Sequence, residues 1–200
     1  VTAFGVYMGM KASAKFKWGS DDLSTKKVLV QGVGNVGENL VKHLTEERAT
    51  VFITDINEQK LTEVSLKYGA KIVMGDGVYD MDIDIYAPCA LGATLNSDTI
   101  SRLKCDIIAG AANNQLLDED VNGEEIKKRG IIYAPDFLIN AGGLINVYSE
   151  INGYNREDSL TQTREIYNTT LEILIKADLE DITTHKAALQ IAKQRILDKK

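Results

Sequence analysis

The chain has 200 residues, of which 44% are hydrophobic and 26% charged; this composition is typical of a globular protein and excludes a disordered tail, a collagen-like repeat or a disulfide scaffold. Its formal net charge is −6 and its Lys and Arg residues are scattered, so we expect no nucleic-acid partner. No apolar run reaches the roughly 18 residues that a membrane span needs, so we expect no membrane insertion.

The first residue, the cysteines and the histidines carry further information. The chain begins at Val1 rather than at Met and has no secretory signal, so we expect either a processed terminus or a piece of a longer polypeptide. Cys89 and Cys105 are too few for a disulfide framework, and neither they nor His43 and His185 have neighbours at metal-ligand spacing. We therefore expect no metal site, reduced thiols and a cytoplasmic location.

The predicted elements alternate between helix and strand. A helix is predicted over residues 2–16, where small residues among the apolar ones favour close packing. Short runs rich in Val, Ile and Tyr predict buried strands at 27–31, 50–54, 83–87, 106–109 and 131–134. Apolar residues at helical spacing predict helices over 36–47, over 61–66 with an end at Gly69, and over 118–129 before Gly130. Two more helices follow, one with apolar residues spaced from 160 to 174 and one capped by Thr183 or Thr184.

This alternation predicts the fold class. Strands that alternate with helices indicate an α/β, Rossmann-type doubly wound and mostly parallel sheet, here with flanking N- and C-terminal helices. Pro88 and Pro135 each follow a predicted strand closely and do not mark a linker. Residues 1–200 are therefore expected to form a single domain, which the motifs below identify as an NAD-binding domain.

A glycine-rich turn follows the first predicted strand. Residues 32–37 read G-x-G-x-x-G, and the next strand ends near Asp55, 18 residues after Gly37. Gly32 permits a tight turn, Gly34 lets a pyrophosphate approach the backbone, and Gly37 lets the helix pack on the strand. The candidate cofactor-binding residues here are Gly32, Gly34, Asn35, Val36, Gly37, Asp55 and Ile56.

Asp55 selects between the two nicotinamide cofactors. A carboxylate accepts hydrogen bonds from the ribose hydroxyls of NAD but repels the 2′-phosphate of NADP, and no Arg follows within ten residues. The sequence therefore predicts NAD. The alternative is an ordinary glycine turn beside a surface aspartate.

Three later loops follow predicted strands and contain small and amide residues. They read PCALG at 88–92, GAANNQ at 110–115, and PD followed by LINAGG at 135–143. Ligands in open α/β sheets bind beyond the carboxyl ends of the strands, where these loops meet. Asn-rich segments are often only turns, but their convergence at one sheet edge favours a binding site.

The chain resembles the coenzyme-binding domain of the amino acid dehydrogenases, the family with glutamate, leucine, phenylalanine and valine branches, and most of all the leucine branch. The resemblance covers nearly the whole chain in order, through the fragments TAFGVYMGM, VQGVGNVG, TDIN, APCALG, AANNQL and YAPDFLINAGGLINV. It implies reversible deamination of an L-amino acid to its 2-oxo acid and ammonia, with hydride transfer to NAD. It also implies a homo-oligomer in the full-length enzyme.

The resemblance implies roles for particular residues. Thr2 matches a threonine near the nicotinamide carboxamide, and Cys89 and Ala90 match residues beside the cofactor ribose. Asn113 matches the asparagine between substrate and nicotinamide, and Asn140 borders the same site. Cys89 is expected to pack rather than react, since hydride transfer needs no thiolate.

The substrate pocket is partly visible in the sequence. Relatives specific for glutamate place a serine four residues after the second glycine of NAGG, and this chain has Val147 there, with Leu144 one helical turn earlier. Two apolar residues disfavour a buried carboxylate and favour a branched-chain, aliphatic side chain. The alternatives are core positions for both residues, or a preference for phenylalanine or valine.

No catalytic residue is expected in this chain. The lysines that serve as general base and carboxylate ligand in the family lie in a preceding domain with a GGxK-type loop, which is absent here, and nothing marks Lys11 or Lys15 as a base. The isolated chain is therefore expected to bind NAD without deaminating amino acids. The alternative of another class is a non-catalytic module that senses NAD.

Overall fold

The computed structural model describes residues 1–151 and 155–198. Within these residues six strands form one sheet in the order β3-β2-β1-β4-β5-β6, and every pair of neighbours is parallel. This is the doubly wound order, in which the direction of winding reverses between β1 and β4. The predicted fold class is confirmed.

The central strands match the sequence patterns best. β1 (Lys27–Gln31) and β2 (Thr50–Thr54) have the predicted bounds, and Val28, Leu29 and Val30 are fully buried. Three strands are shorter or shifted relative to their predictions: β4 (Ile85–Pro88), β5 (Ile107–Ile108) and β6 (Ile132–Tyr133). The edge strand β3 (Lys71–Ile72) was not predicted, because both of its residues are exposed and no buried apolar run marks it.

Helices cover both faces of this sheet. The predicted ones are α1 (Thr2–Trp18), α2 (Asn35–Glu46), α3 (Glu58–Tyr68), α5 (Glu119–Lys128), α8 (Arg156–Leu179) and α9 (Thr184–Leu197). Their ends follow the expected chemistry: Gly69 ends α3 with φ +71°, and Thr183 caps α9 through its hydroxyl oxygen. Within the described residues three further α-helices lie in the loops, α4 (Ser97–Arg102), α6 (Asp136–Ile139) and α7 (Gly142–Ile151), and a 3-10 helix spans Asp76–Asp80.

Small residues let α1 pack closely against later parts of the chain. A Cβ at Gly9 would lie 2.2 Å from the Ile139 side chain, and a Cβ at Gly5 would lie 2.7 Å from the Ile139 carbonyl oxygen. Gly5 also approaches Ile166 of α8. With α2 and α3, α1 buries one face of the sheet, and the contacts of α1 with α6 and α8 fix the loop after β6 relative to the start of the chain.

Candidate functional site

The glycine turn between β1 and α2 has a conformation that side chains would disrupt. Gly32 has φ +100°, and a Cβ there would lie 2.7 Å from the Ala90 nitrogen. A Cβ at Gly37 would lie 1.9 Å from the Gly32 carbonyl oxygen. The Gly32 N–H donates to Thr54 O at 2.7 Å, which ties the turn to β2. Both glycines are therefore required by close approach of the backbone.

Gly34 differs from these two glycines because it faces open space. It is the N-cap of α2, no side chain caps the helix, and a Cβ there would meet no atom within 4 Å. Asn35 and Val36 begin the helix, Asn35 exposed and Val36 half-buried. The N–H groups and partial positive charge of an uncapped first turn fit an anionic group such as a diphosphate.

Asp55 follows β2 and connects its end to the glycine turn. Its Oδ2 accepts a hydrogen bond from Val33 N at 2.7 Å, and its Oδ1 accepts one from Asn57 N at 2.9 Å. Each carboxylate oxygen keeps a second lone pair, so Asp55 can still accept from a hydroxyl group. Ile56, next in the chain, is fully exposed beside this carboxylate.

The loop after β4 packs against the glycine turn. Ala90 is exposed and contacts Gly32, while Cys89 N donates to Gln31 O at 2.7 Å. Burial raises the pKa of the Cys89 thiol to about 12. The thiol is therefore neutral near pH 7 and a poor nucleophile, and the packing role of Cys89 stays a prediction.

Amide side chains meet at the ends of β5 and β6. Asn140, the C-cap of α6, donates from Nδ2 to Asn113 Oδ1 at 2.6 Å. The NAGG segment also approaches the first residues of the chain, since a Cβ at Gly143 would lie 3.0 Å from the Thr2 hydroxyl oxygen. Thr2 at the start of α1 and Asn113 in the loop after β5 thus both lie close to residues 140–143.

The two ends of the site lie on different strands of the sheet. Asp55 follows β2, whereas Asn113 follows β5, three strand spacings away, or about 14 Å. The glycine turn lies between them at the reversal of winding, where doubly wound folds bind dinucleotides.

Leu144 and Val147 are not core positions. Leu144 is 74% exposed and Val147 52% exposed on α7, which begins within the NAGG segment. Tyr148 and Ile151 continue this exposed apolar stripe along the helix. The alternative that these residues fill the core is therefore wrong.

Several residues that hold the loops together were not singled out from the sequence. A Cβ at Gly110 would lie 2.1 Å from Pro88 O, and one at Gly92 would lie 2.6 Å from Asn113 O. Gln115 and Asp136 are buried polar residues in the loops after β5 and β6. Their places within AANNQL and APDF were the signal that the sequence offered. That signal does not show that these two side chains are buried, because burial depends on tertiary structure.

Metal clusters and membrane-spanning helices are both absent from the described residues. Residues 1–151 and 155–198 contain no group of three or more His, Cys, Asp or Glu that could hold a metal ion. In the same part of the chain no helix is long and apolar enough to cross a membrane.

The fold and the glycine turn define a doubly wound dinucleotide-binding domain. Comparison with known proteins identifies its family: residues 52–198 match the Glutamate/Leucine/Phenylalanine/Valine dehydrogenase family, and the chain belongs to that family. The family resemblance predicted from the sequence is confirmed. Membership of this family implies a nicotinamide cofactor.

Individual relatives cover this chain almost completely. It is 50% identical over 98% of its length to leucine dehydrogenase of Bacillus subtilis, and 46% identical over 100% to L-tryptophan dehydrogenase of Nostoc punctiforme. The chain spans 54% and 57% of these two proteins. The crystal structure of L-tryptophan dehydrogenase from Nostoc punctiforme matches 98% of the chain, and the chain covers 59% of it, with a TM-score of 0.96 and 47% identity.

Proposed function

We propose that this chain is the NAD-binding domain of an amino acid dehydrogenase that converts an aliphatic L-amino acid to its 2-oxo acid and ammonia. The observation that carries the proposal is the uncapped N-terminus of α2 at Gly34, with Asp55 and the Asn113–Asn140 pair at the same sheet edge. The relatives with leucine, tryptophan and phenylalanine dehydrogenase activity in their names support the reaction class.

The preference for NAD over NADP follows from charge. The helix that follows Asp55 contains two lysines, Lys60 and Lys67, and both pair with Glu38, at 2.7 and 2.9 Å. A 2′-phosphate beside Asp55 would meet a carboxylate with no compensating Arg or Lys, whereas ribose hydroxyls would donate to it. NADPH binding is therefore disfavoured.

The residues of this chain bind and orient rather than transfer protons. NAD supplies the acceptor for the hydride that leaves the substrate Cα. The glycine turn holds the diphosphate, the two asparagine amides orient the carboxamide and substrate, and the neutral Cys89 thiol stays out of the chemistry. The general base lies outside this chain, so the isolated chain binds NADH and leaves amino acids unchanged.

Leu144 and Val147 form one wall of the substrate pocket. Both are apolar and more than half exposed on α7, which begins two residues after Asn140. A substrate carboxylate against this wall would lose its hydration without a partner, at a cost of several kcal/mol (roughly 2–7 even for a neutral polar group). Leucine, isoleucine or valine side chains have no such cost.

Calorimetric titration of the chain with NADH and NADPH tests the cofactor assignment. We expect NADH to bind at least about tenfold more tightly, which corresponds to ~1.4 kcal/mol. Equal affinities would contradict the role of Asp55. Robust oxidation of leucine by the 200-residue chain alone would contradict the placement of the base outside it.

Assays of the complete gene product test the reaction and the pocket. We expect turnover of branched-chain 2-oxo acids with ammonium and NADH, and a homo-oligomer by light scattering. Leu144→Ala and Val147→Ala should raise KM for leucine without changing NADH affinity, whereas Ile151→Ala, an equally apolar and exposed change on the same helix, should leave both unchanged. An NAD-sensing module would instead bind NADH and convert none of the 2-oxo acids tested.

A further inference from the structure

Gln115 joins the loops that follow three neighbouring strands. Its carbonyl oxygen accepts from Leu95 N, in the segment after β4, at 3.0 Å. Its own N–H donates to Asp136 Oδ2, after β6, at 3.1 Å. Gln115 itself lies in the loop after β5, so all three loops meet at this one residue.

The Gln115 side chain fixes the shape of its own loop. It is fully buried, and its Nε2 donates to Gly110 O and to Ala112 O, both at 2.9 Å. Both acceptors are carbonyl oxygens, so the orientation of the Gln115 amide is determined. The reversed amide would place its own oxygen against these two carbonyl oxygens. Its Oε1 is buried without a partner among the described residues, so this arrangement is maintained at a cost.

Asp136 connects this loop to the short helix α6. The carboxylate is buried, and its Oδ1 accepts from Phe137 N at 2.8 Å, at the start of the helix. Because Oδ2 accepts from Gln115 N, one carboxylate sets the distance between the two loops. Hydrogen bonds between a carboxylate and N–H groups are stronger than neutral ones.

These contacts close a circuit that includes the amide pair of the site. From Gln115 the connections run through Asp136 and α6 to Asn140, then across the 2.6 Å hydrogen bond to Asn113, and back along the loop to Gln115. Asn113 is exposed, and its side chain is held by Asn140. The orientation of Asn113 therefore depends on the relative placement of two loops.

We propose that Gln115 and Asp136 are positioning residues that hold the Asn113–Asn140 amides in their reactive orientation. The proposal rests on the proposed function for its effect on turnover, but its structural part stands on the circuit alone. Both residues are buried, and none of the hydrogen bonds described above joins them to the glycine turn or to Asp55. We call Gln115, Asp136 and the hydrogen bonds that they make the brace. Loss of this brace lowers kcat and leaves NADH affinity nearly unchanged.

The test compares Gln115→Met with Asn122→Leu in the complete gene product. Met has nearly the volume of Gln and removes both donors. Asn122 is another buried amide, only 2% exposed, which bonds Glu125 and the Asp118 N–H in and before α5, away from the site. The control variant Asn122→Leu therefore also removes a buried amide, but it leaves the contacts between Gln115, Asp136, Asn140 and Asn113 in place.

Hydrogen exchange decides the structural part of the proposal. Gln115→Met should raise amide exchange in residues 110–115 and 136–143 together by about tenfold, which corresponds to ~1.4 kcal/mol, and Asn122→Leu should not. Unchanged exchange in either segment would overturn the brace. This readout stands whether or not the protein turns over an amino acid, so it separates the brace from the proposed function.

Kinetics decide whether the brace acts through Asn113. We expect Gln115→Met to lower kcat about tenfold, again ~1.4 kcal/mol, while NADH affinity changes by less than about twofold. In an Asn113→Ala background the same substitution should have almost no further effect on kcat, because the group that it positions is gone. Additive losses, or an equal loss with Asn122→Leu, would overturn the proposal.

Discussion

Gly34 and Gly37 provide a matched pair of substitutions that separate ligand binding from stability. The added atom is the same methyl group in Gly34→Ala and Gly37→Ala, three residues apart at the start of α2. At Gly37 the new Cβ would lie 1.9 Å from the Gly32 carbonyl oxygen, whereas at Gly34 it would meet no atom within 4 Å. The structure therefore predicts opposite patterns for the two variants.

The magnitudes follow from these distances. Relief of the Gly37 clash requires a backbone shift of α2, and overpacking of this kind costs ~3 kcal/mol, the upper part of the usual range. For a domain of this size that lowers Tm by about 6–12 °C. At Gly34, with φ −65°, a stabilisation of ~0.5 kcal/mol from the unfolded chain offsets a similar loss of N-cap preference. Its Tm should stay within about 2 °C.

Ligand binding shows the reverse pattern for Gly34. Its methyl group would enter the open space where a diphosphate approaches the helix N-terminus, with a loss of ~2 kcal/mol of charged hydrogen bonding, or about 30-fold in NADH affinity. The assays are thermal unfolding by circular dichroism and titration of NADH fluorescence. A Gly34→Ala chain that binds NADH as tightly as wild type, or a Gly37→Ala chain that melts with wild type, would refute the reasoning.

Three further predictions concern charge. Asp55→Ser should reduce the preference for NADH over NADPH by about tenfold in paired titrations, because the carboxylate that repels a 2′-phosphate is removed; an unchanged ratio would contradict this. Glu38 accepts hydrogen bonds from Lys60 and Lys67 at 2.7 and 2.9 Å, and these contacts lower its pKa to about 2. The ion pairs therefore stabilise the fold fully above the unfolded pKa of ~4.3. This stabilisation is lost as the pH falls toward 2. Urea unfolding between pH 5 and 2.5 should therefore show a shallower pH dependence for Glu38→Gln than for wild type, and parallel curves would contradict the pairing. Burial raises the pKa of both cysteine thiols, Cys89 and Cys105, to about 12. A thiol reagent at pH 8 should therefore label the native chain roughly a thousandfold more slowly than the chain unfolded in urea. Fast labelling of the native chain would exclude neutral thiols.

The sequence predicted those parts of the fold that depend on local pattern. β1 and β2 have their predicted bounds because a run of five residues with buried apolar positions is a local signal. Gly69 marks the end of α3 for an equally local reason, its left-handed φ of +71°. β3 was not predicted because Lys71 and Ile72 are both exposed and pair with β2 through the backbone, so no buried apolar run marks the strand.

The residues of the candidate site also differ in whether a local sequence pattern marks them. The turn at 32–37 and Asp55 could be recognised because their spacing along the chain reflects a fixed geometry. Gln115 and Asp136 could not, because a hydrogen bond across 21 residues has no spacing rule. Gly110 shows this limit most simply: only the fold brings Pro88 O to 2.1 Å from where its Cβ would be.

The packing of α1 on α8 has a consequence for synthesis on the ribosome. The first helix ends at Trp18, and the helix that covers it begins at Arg156, 138 positions later in the chain. At about 5–20 residues per second, α1 waits roughly 7–28 s for its partner. The surface of α1 at Gly5 and Gly9, which lies against Ile166 and Thr170 in the finished domain, is not covered by α8 for that interval. A nascent chain whose sheet can already form thus exposes one face of α1 to molecular chaperones until α8 has been synthesised.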